Sequence, residues 1–115
     1  MEDIEIAELA KALSSETRVA IVRLLTGGPL CVNALAERLG VSPSAVSQHL
    51  RALKMVRLVG ADRRGYYVHY SLCPPTLERL SLALSSLAPV SPVGNRCCDR
   101  DTSAATRSKE EDNYG

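Results

Sequence analysis

Gly40, Val41, Ser42 and Pro43 constrain this chain more than any other stretch, because they stop one short helix and start the next within a few residues. Glycine tolerates the left-handed backbone that closes a helix at the C′ position. Serine at the N-cap accepts a bond from an otherwise unpaired amide, and proline suits the first helical position because its missing N–H has no partner to lose there. Before the turn, the run from Cys31 to Leu39 brings Leu35, Ala36 and Leu39 to one inward face. After it, a helix reaching about Met55 carries Val46, Leu50 and Leu53 at i, i+4 and i+7 on its apolar side. Ser44, Ser47, Gln48, Arg51 and then Lys54 fall on the opposite side, a donor-rich face.

The flanking segments follow the same helical period. Ile4 to Leu13 places Ile6, Leu9 and Leu13 at spacings of three and four, one face of an amphipathic helix. Ser14 and Ser15 suit a cap, and from Thr17 to Leu25 the residues Val19, Ala20, Ile21, Val22, Leu24 and Leu25 lie almost all round, which predicts a buried central helix. Gly27, Gly28 and Pro29 stop it. Between Leu58 and Leu72 the period falls to two: Tyr66, Val68 and Tyr70 alternate with Tyr67, His69 and Ser71. With Asp62, Arg63, Arg64 and Gly65 as the turn, this predicts a short hairpin whose tip carries two arginines. Pro74 and Pro75 open a last helix, about Thr76 to Ala88, with Leu77, Leu80, Leu84 and Leu87 on one face and Leu82 beside it.

At 115 residues there is room for one small domain, not for a Rossmann sheet or a barrel enzyme. Phe and Trp are absent and Tyr occurs four times, so the core is built from Leu, Val, Ile and Ala. Such a core is thin for a monomer, because surface outweighs volume in a chain of this size. The leucines of the last helix exceed what it needs, and they read as a dimerisation surface paired with the first helix. The expected fold is mainly α with a small β-hairpin, homodimeric through its first and last helices. Residues 1–88 form the folded domain; 89–115 are expected to be a flexible tail, polar from Asp99 onward and interrupted by Cys97 and Cys98. No apolar run approaches the roughly 20 residues that span a bilayer, and no basic leader precedes an apolar stretch, so a soluble cytoplasmic protein without membrane contact is expected.

The cysteines, Cys31, Cys73, Cys97 and Cys98, do not read as a disulfide framework. Adjacent residues have Cα atoms about 3.8 Å apart, below the usual disulfide range of roughly 4.4–6.8 Å. Cys97 and Cys98 therefore read as free thiols or ligands, and Cys73 as structural.

The formal charge of +1 hides a partition. Residues 1–17 carry −4, residues 18–79 carry +6 and the remainder −1. A basic middle section attracts a polyanion even in a nearly neutral protein. Two short helices across a glycine turn, with an arginine-tipped hairpin, fit a helix-turn-helix with a wing, in which the second helix enters the major groove of double-stranded DNA. Gln48 can bond adenine bidentately, and Arg51 suits guanine or a phosphate. Ser44 and Ser47 suit close backbone approach. Arg63 and Arg64 suit phosphates or the adjacent minor groove, and Lys54 and Arg57 the DNA backbone. His49, near the boundary of the helix faces, suits partial packing or a phosphate bond rather than metal ligation.

The stretch Pro29-Leu-Cys-Val-Asn-Ala-Leu-Ala-Glu-Arg-Leu-Gly40, then Val-Ser-Pro-Ser-Ala-Val-Ser-Gln-His-Leu50 and the wing to Leu72, resembles the ArsR/SmtB family of bacterial winged-helix repressors. The resemblance covers about Ile4 to Ala88 and implies a homodimer that binds a palindromic operator and leaves it when an inducer binds. Cys31 falls on the first cysteine of the family's Cys-Val-Cys metal box, but Asn33 replaces the second and Ala34 the following aspartate. The family's Asp/His zinc site on the last helix is absent, since Thr76 to Ala88 hold neither residue type. Some relatives complete a site with cysteines outside the helix-turn-helix, and the resemblance thus implies Cys31, Cys97 and Cys98 as three thiolates for a soft ion such as As(III), Sb(III) or Cd(II) acting as inducer. No ion is expected to be required for folding. A helix N-terminus favours the thiolate of Cys31, whose bland alternative is a small buried apolar residue.

Two other readings fit the same residues: a redox-responsive repressor in which oxidation joins Cys31 to a tail cysteine or to Cys73, and a helical dimerisation protein that binds no DNA. An enzyme is not expected, since no nucleophile, base and orienting residue can be picked out.

Overall fold

The computed structural model describes residues 1–88, and its chain runs α1 (Asp3–Ala12), α2 (Glu16–Leu25), β1 (Leu30–Cys31), α3 (Val32–Leu39), α4 (Pro43–Met55), β2 (Val59–Arg64), β3 (Tyr67–Leu72) and α5 (Pro74–Leu87). The expected tail, with Cys97 and Cys98, lies outside the described residues. Helices α1, α2 and α4 start where a local side chain accepts a backbone amide. Glu5 accepts from the Glu2 amide at 3.0 Å, Ser15 Oγ from Arg18 N at 3.3 Å and Ser42 Oγ from Ala45 N at 3.1 Å. Pro43 and the Pro74–Pro75 pair occupy first-turn positions, where the helix needs no N–H. Gly40 ends α3 at φ 69° and returns its amide to Ala36 O at 2.9 Å.

The core is aliphatic, with Ile21, Leu35, Val46, Leu50, Leu53, Leu58 and Val59 all but inaccessible. It lies where α2, α3 and α4 meet the root of β2, and no polar or charged residue is buried in it. The α2 stripe is narrower than its sequence predicts: Ile21 and Leu25 are buried, but Val19 is exposed. The reason is that α3, α4 and β3 cover the Ile21 and Leu25 side of α2 and leave the Val19 side open.

The sheet has three antiparallel strands in the order β1-β3-β2. Strand β1 was not foreseen; two residues are too few to show alternation, and β1 exists because β3 offers it a free edge. The hairpin turn also differs from the expected one. Asp62, Arg63 and Arg64 belong to β2, and Arg64 pairs with Tyr67 across a loop of only Gly65 and Tyr66. Gly65 takes the positive φ of 66° at the first loop position, the place a type II′ turn reserves for glycine. β2 thus runs three residues further than expected, β3 starts one residue later, and Tyr66 sits at the tip of the wing, fully exposed.

Helix α5 packs against α1. Leu80 and Ala83 are buried there, while Leu82, Leu84 and Leu87, and Ile4 on α1, remain exposed. Among the described residues no helix is long and apolar enough to cross a membrane.

Candidate nucleic-acid interface

Helix α4 is anchored by one stripe and offers another. Val46, Leu50 and Leu53 are sunk in the core, whereas Ser44, Ser47, Gln48, Arg51 and Lys54 are all exposed. At 3.6 residues per turn these five fall within an arc of about 120°. Burial of the apolar stripe fixes the rotation of α4 about its axis, so the polar arc is presented rigidly to solvent. It supplies an amide, a guanidinium, an ammonium and two hydroxyls.

The wing extends the same set of donors. Arg63 and Arg64 are exposed near its tip on opposite faces of the ribbon, since cross-strand partners share a face and Arg63 pairs with Val68 while Arg64 pairs with Tyr67. Arg64 Nε bonds Asp62 Oδ2 at 3.0 Å, with both side chains more than 60% exposed. A pair this wet holds its members weakly, so the guanidinium can be taken by a phosphate at little cost.

Two residues read as DNA contacts lie elsewhere. His49 is half-buried, roughly 160° round the helix from Arg51. Its Nδ1 accepts from Arg18 Nε at 3.1 Å, so in the neutral ring the proton resides on Nε2. The ring turns toward α2 because position 49 flanks the apolar stripe centred on Val46 and Leu50. Arg57 follows α4 with φ 64° and its carbonyl accepts from Thr76 Oγ1 at 2.7 Å. It borders a cleft of about 400 Å³ with Glu5, Glu8 and Arg79, beside α1 and α5 and apart from the α4 arc. Arg18 was not singled out from sequence; a partner 31 residues away leaves no local signal.

Cys31 closes β1 and caps α3 without a side-chain hydrogen bond, a half-buried free thiol. The register places it opposite His69, which in turn lies opposite Asp62, so the three share one face of the sheet. His69 Nδ1 is buried without a hydrogen-bond partner. Even so, among the described residues no three His, Cys, Asp or Glu side chains converge as a metal cage would. Cys31 is the one member of the expected ligand set among the described residues; Cys97 and Cys98 lie outside them. The geometry also removes one redox pairing. Cys73 follows the end of β3, four residues beyond His69, which separates it from Cys31 by about 13 Å along the strand. Disulfides require Cα atoms within roughly 7 Å. Cys73 caps α5 as a half-buried free thiol, and its amide bonds Leu58 O at 2.9 Å.

Comparison with known proteins places this geometry. The family model "Bacterial regulatory protein, arsR family" matches residues 15–60, from the α2 cap to the start of the wing. The regulator NmtR of Mycobacterium tuberculosis is 43% identical over 68 residues, 59% of this chain and 57% of NmtR, so the match spans little more than half of that relative. Among solved structures, a possible transcriptional regulator for arsenical resistance is 34% identical with a TM-score of 0.69, covering 87% of this chain and 97% of that one. The homodimeric winged helix-turn-helix DNA-binding domain of Mb0332 from Mycobacterium bovis is 25% identical with a TM-score of 0.63, covering 83% and 95%. The chain therefore belongs to the ArsR/SmtB family of winged helix-turn-helix transcriptional regulators.

Proposed function

We propose that the protein is a homodimeric repressor that binds operator DNA through α4 and the wing. The observation that carries this reading is the α4 arc: five polar side chains exposed along a helix whose opposite stripe is locked in the core. Gln48 and Arg51 read base edges in the major groove, Ser44, Ser47 and Lys54 bind the backbone, and Arg63 and Arg64 reach phosphates or the adjacent minor groove. The exposed leucines of α5 and Ile4 of α1 are the dimer surface, a reading supported by the homodimeric Mb0332 domain. A two-fold axis there would set the two copies of α4 one helical turn apart, about 34 Å.

The inducer is a thiophilic ion, with trivalent arsenic, trivalent antimony and cadmium as the candidates, held by Cys31 with Cys97 and Cys98 of the 89–115 tail. The free thiol at the start of α3 and the likeness to a possible regulator for arsenical resistance support it. When bound, such an ion supplies thiolate bonds between the start of α3 and the tail. Cys31 is joined through α3 and the Gly40 turn to α4, so strain at the thiol reaches the helix that meets DNA. Only the difference in ion affinity between DNA-competent and DNA-incompetent dimers shifts the balance.

Titration of the operator complex with arsenite, antimonite and cadmium, with metal stoichiometry measured alongside, tests both parts. Release at a fixed ion-to-protomer ratio is expected, and the double substitution Cys97→Ser, Cys98→Ser is expected to abolish release while leaving operator affinity unchanged. Release by the double variant would remove the tail from the site. Oxidation of Cys31 to a tail cysteine is the second reading, favoured by the absence of a cap bond on the Cys31 thiol; a peroxide-induced mass loss of two hydrogens with no bound ion would mark it.

A further inference from the structure

We infer that Arg18 is a positioning residue for the DNA-binding helix, acting through Nδ1 of His49. Arg18 stands where the end of α1, the start of α2 and the middle of α4 come together. Its Nε donates to His49 Nδ1 at 3.1 Å, and its Nη1 donates to the Ala12 carbonyl at 3.4 Å. Ala12 is the last residue of α1, so that carbonyl is among those a helix C-terminus leaves without an internal partner. One guanidinium thereby closes off α1 and holds the side of α4 away from the polar arc.

The fork geometry of arginine suits this task, since donors on one rigid plane address two acceptors on different helices. His49 serves as acceptor only in its neutral form with the proton on Nε2. Burial of Val46, Leu50 and Leu53 sets the depth and rotation of α4, but hydrophobic packing is itself non-directional. The directional bond at His49, about midway along α4, adds a tether against small rotations of the polar arc about the helix axis. The end of α1, which borders the proposed dimer surface, is in this way wired to the DNA-reading helix by two hydrogen bonds. The inference rests on the DNA-binding reading above and assigns His49 to the tie rather than to a phosphate.

The substitutions His49→Asn and His49→Gln separate the two nitrogens. The asparagine amide carries an oxygen where Nδ1 sits and retains the acceptor for Arg18; the glutamine amide reaches the Nε2 position and retains only a phosphate donor. With a duplex selected by the wild-type protein, His49→Asn is expected to bind within about twofold of wild type, and His49→Gln and Arg18→Met about tenfold more weakly. Arg18→Met is expected to leave the slope of log affinity against log salt unchanged, because no phosphate contact is lost. Unfolding curves accompany each variant, and the Asn/Gln pair decides the matter even if Arg18→Met is unstable. Equal binding by the Asn and Gln variants, Asn weaker than Gln, or a slope reduced by about one in Arg18→Met would overturn the inference. Failure of the wild-type protein to select any duplex would instead remove the DNA-binding reading beneath it.

Discussion

Helices α4 and α5 are both amphipathic and both half-sunk, yet they show solvent opposite chemistries. α4 hides Val46, Leu50 and Leu53 and exposes Ser44, Ser47, Gln48, Arg51 and Lys54. α5 hides only Leu80 and Ala83 and leaves Leu82, Leu84 and Leu87 in water. The hydrophobic requirement of α4 is met within one protomer, so its outer arc is available for a polar, charged partner. That of α5 is not, and burying a leucine contributes about 1.5–3 kcal/mol. In the proposed dimer a second copy related by a two-fold axis would cover the same leucines on both chains at once, so that α4 is finished by folding and α5 by assembly.

The largest expected effect breaks the α5 side. The double substitution Leu84→Glu, Leu87→Glu is expected to yield monomers in sedimentation equilibrium and to weaken operator binding by about a hundredfold or more, because two linked half-site contacts become one. A dimer that persists would move the interface elsewhere. On the α4 side, Gln48→Ala and Arg51→Ala are each expected to cost about 1–3 kcal/mol at the base read by that side chain, with relaxed sequence preference there. Lys54→Ala is expected to weaken all duplexes alike and lower the salt slope by about one. The smallest effect belongs to the wing. Asp62→Ala removes the Arg64 partner from an exposed pair and is expected to shift unfolding stability by no more than about 0.5 kcal/mol.

Sequence legibility divides along the same line. The Gly40–Pro43 turn, the stripes of α3 and α4 and the polar arc are all set by spacings within one segment, and they stand where the sequence puts them. The Leu-rich face of α5 was equally plain, and its exposure in the protomer is what an assembly surface requires. What escaped depends on partners distant along the chain. Strand β1 borrows its conformation from Tyr70 and His69, nearly forty residues later. The turn was drawn at the polar cluster Asp62–Gly65, but only Gly65 had the backbone freedom to reverse the chain, and the arginines were drawn into β2. The Arg18–His49 bond and the row from Cys31 through His69 to Asp62 exist only after folding. Cys97 and Cys98 lie beyond the described residues, so the ligand set implied by the family resemblance stands on chemistry alone.

The central claim is that the exposed arc of α4 is what grips DNA. Fluorescence anisotropy on a duplex selected from a random pool by the wild-type protein, followed across a salt series for wild type and for the double substitution Gln48→Ala, Arg51→Glu, tests it directly. The account predicts wild-type affinity that falls linearly on a log–log plot with salt and a double variant that no longer distinguishes the selected duplex from random sequence. Superimposable isotherms for the two proteins would contradict it.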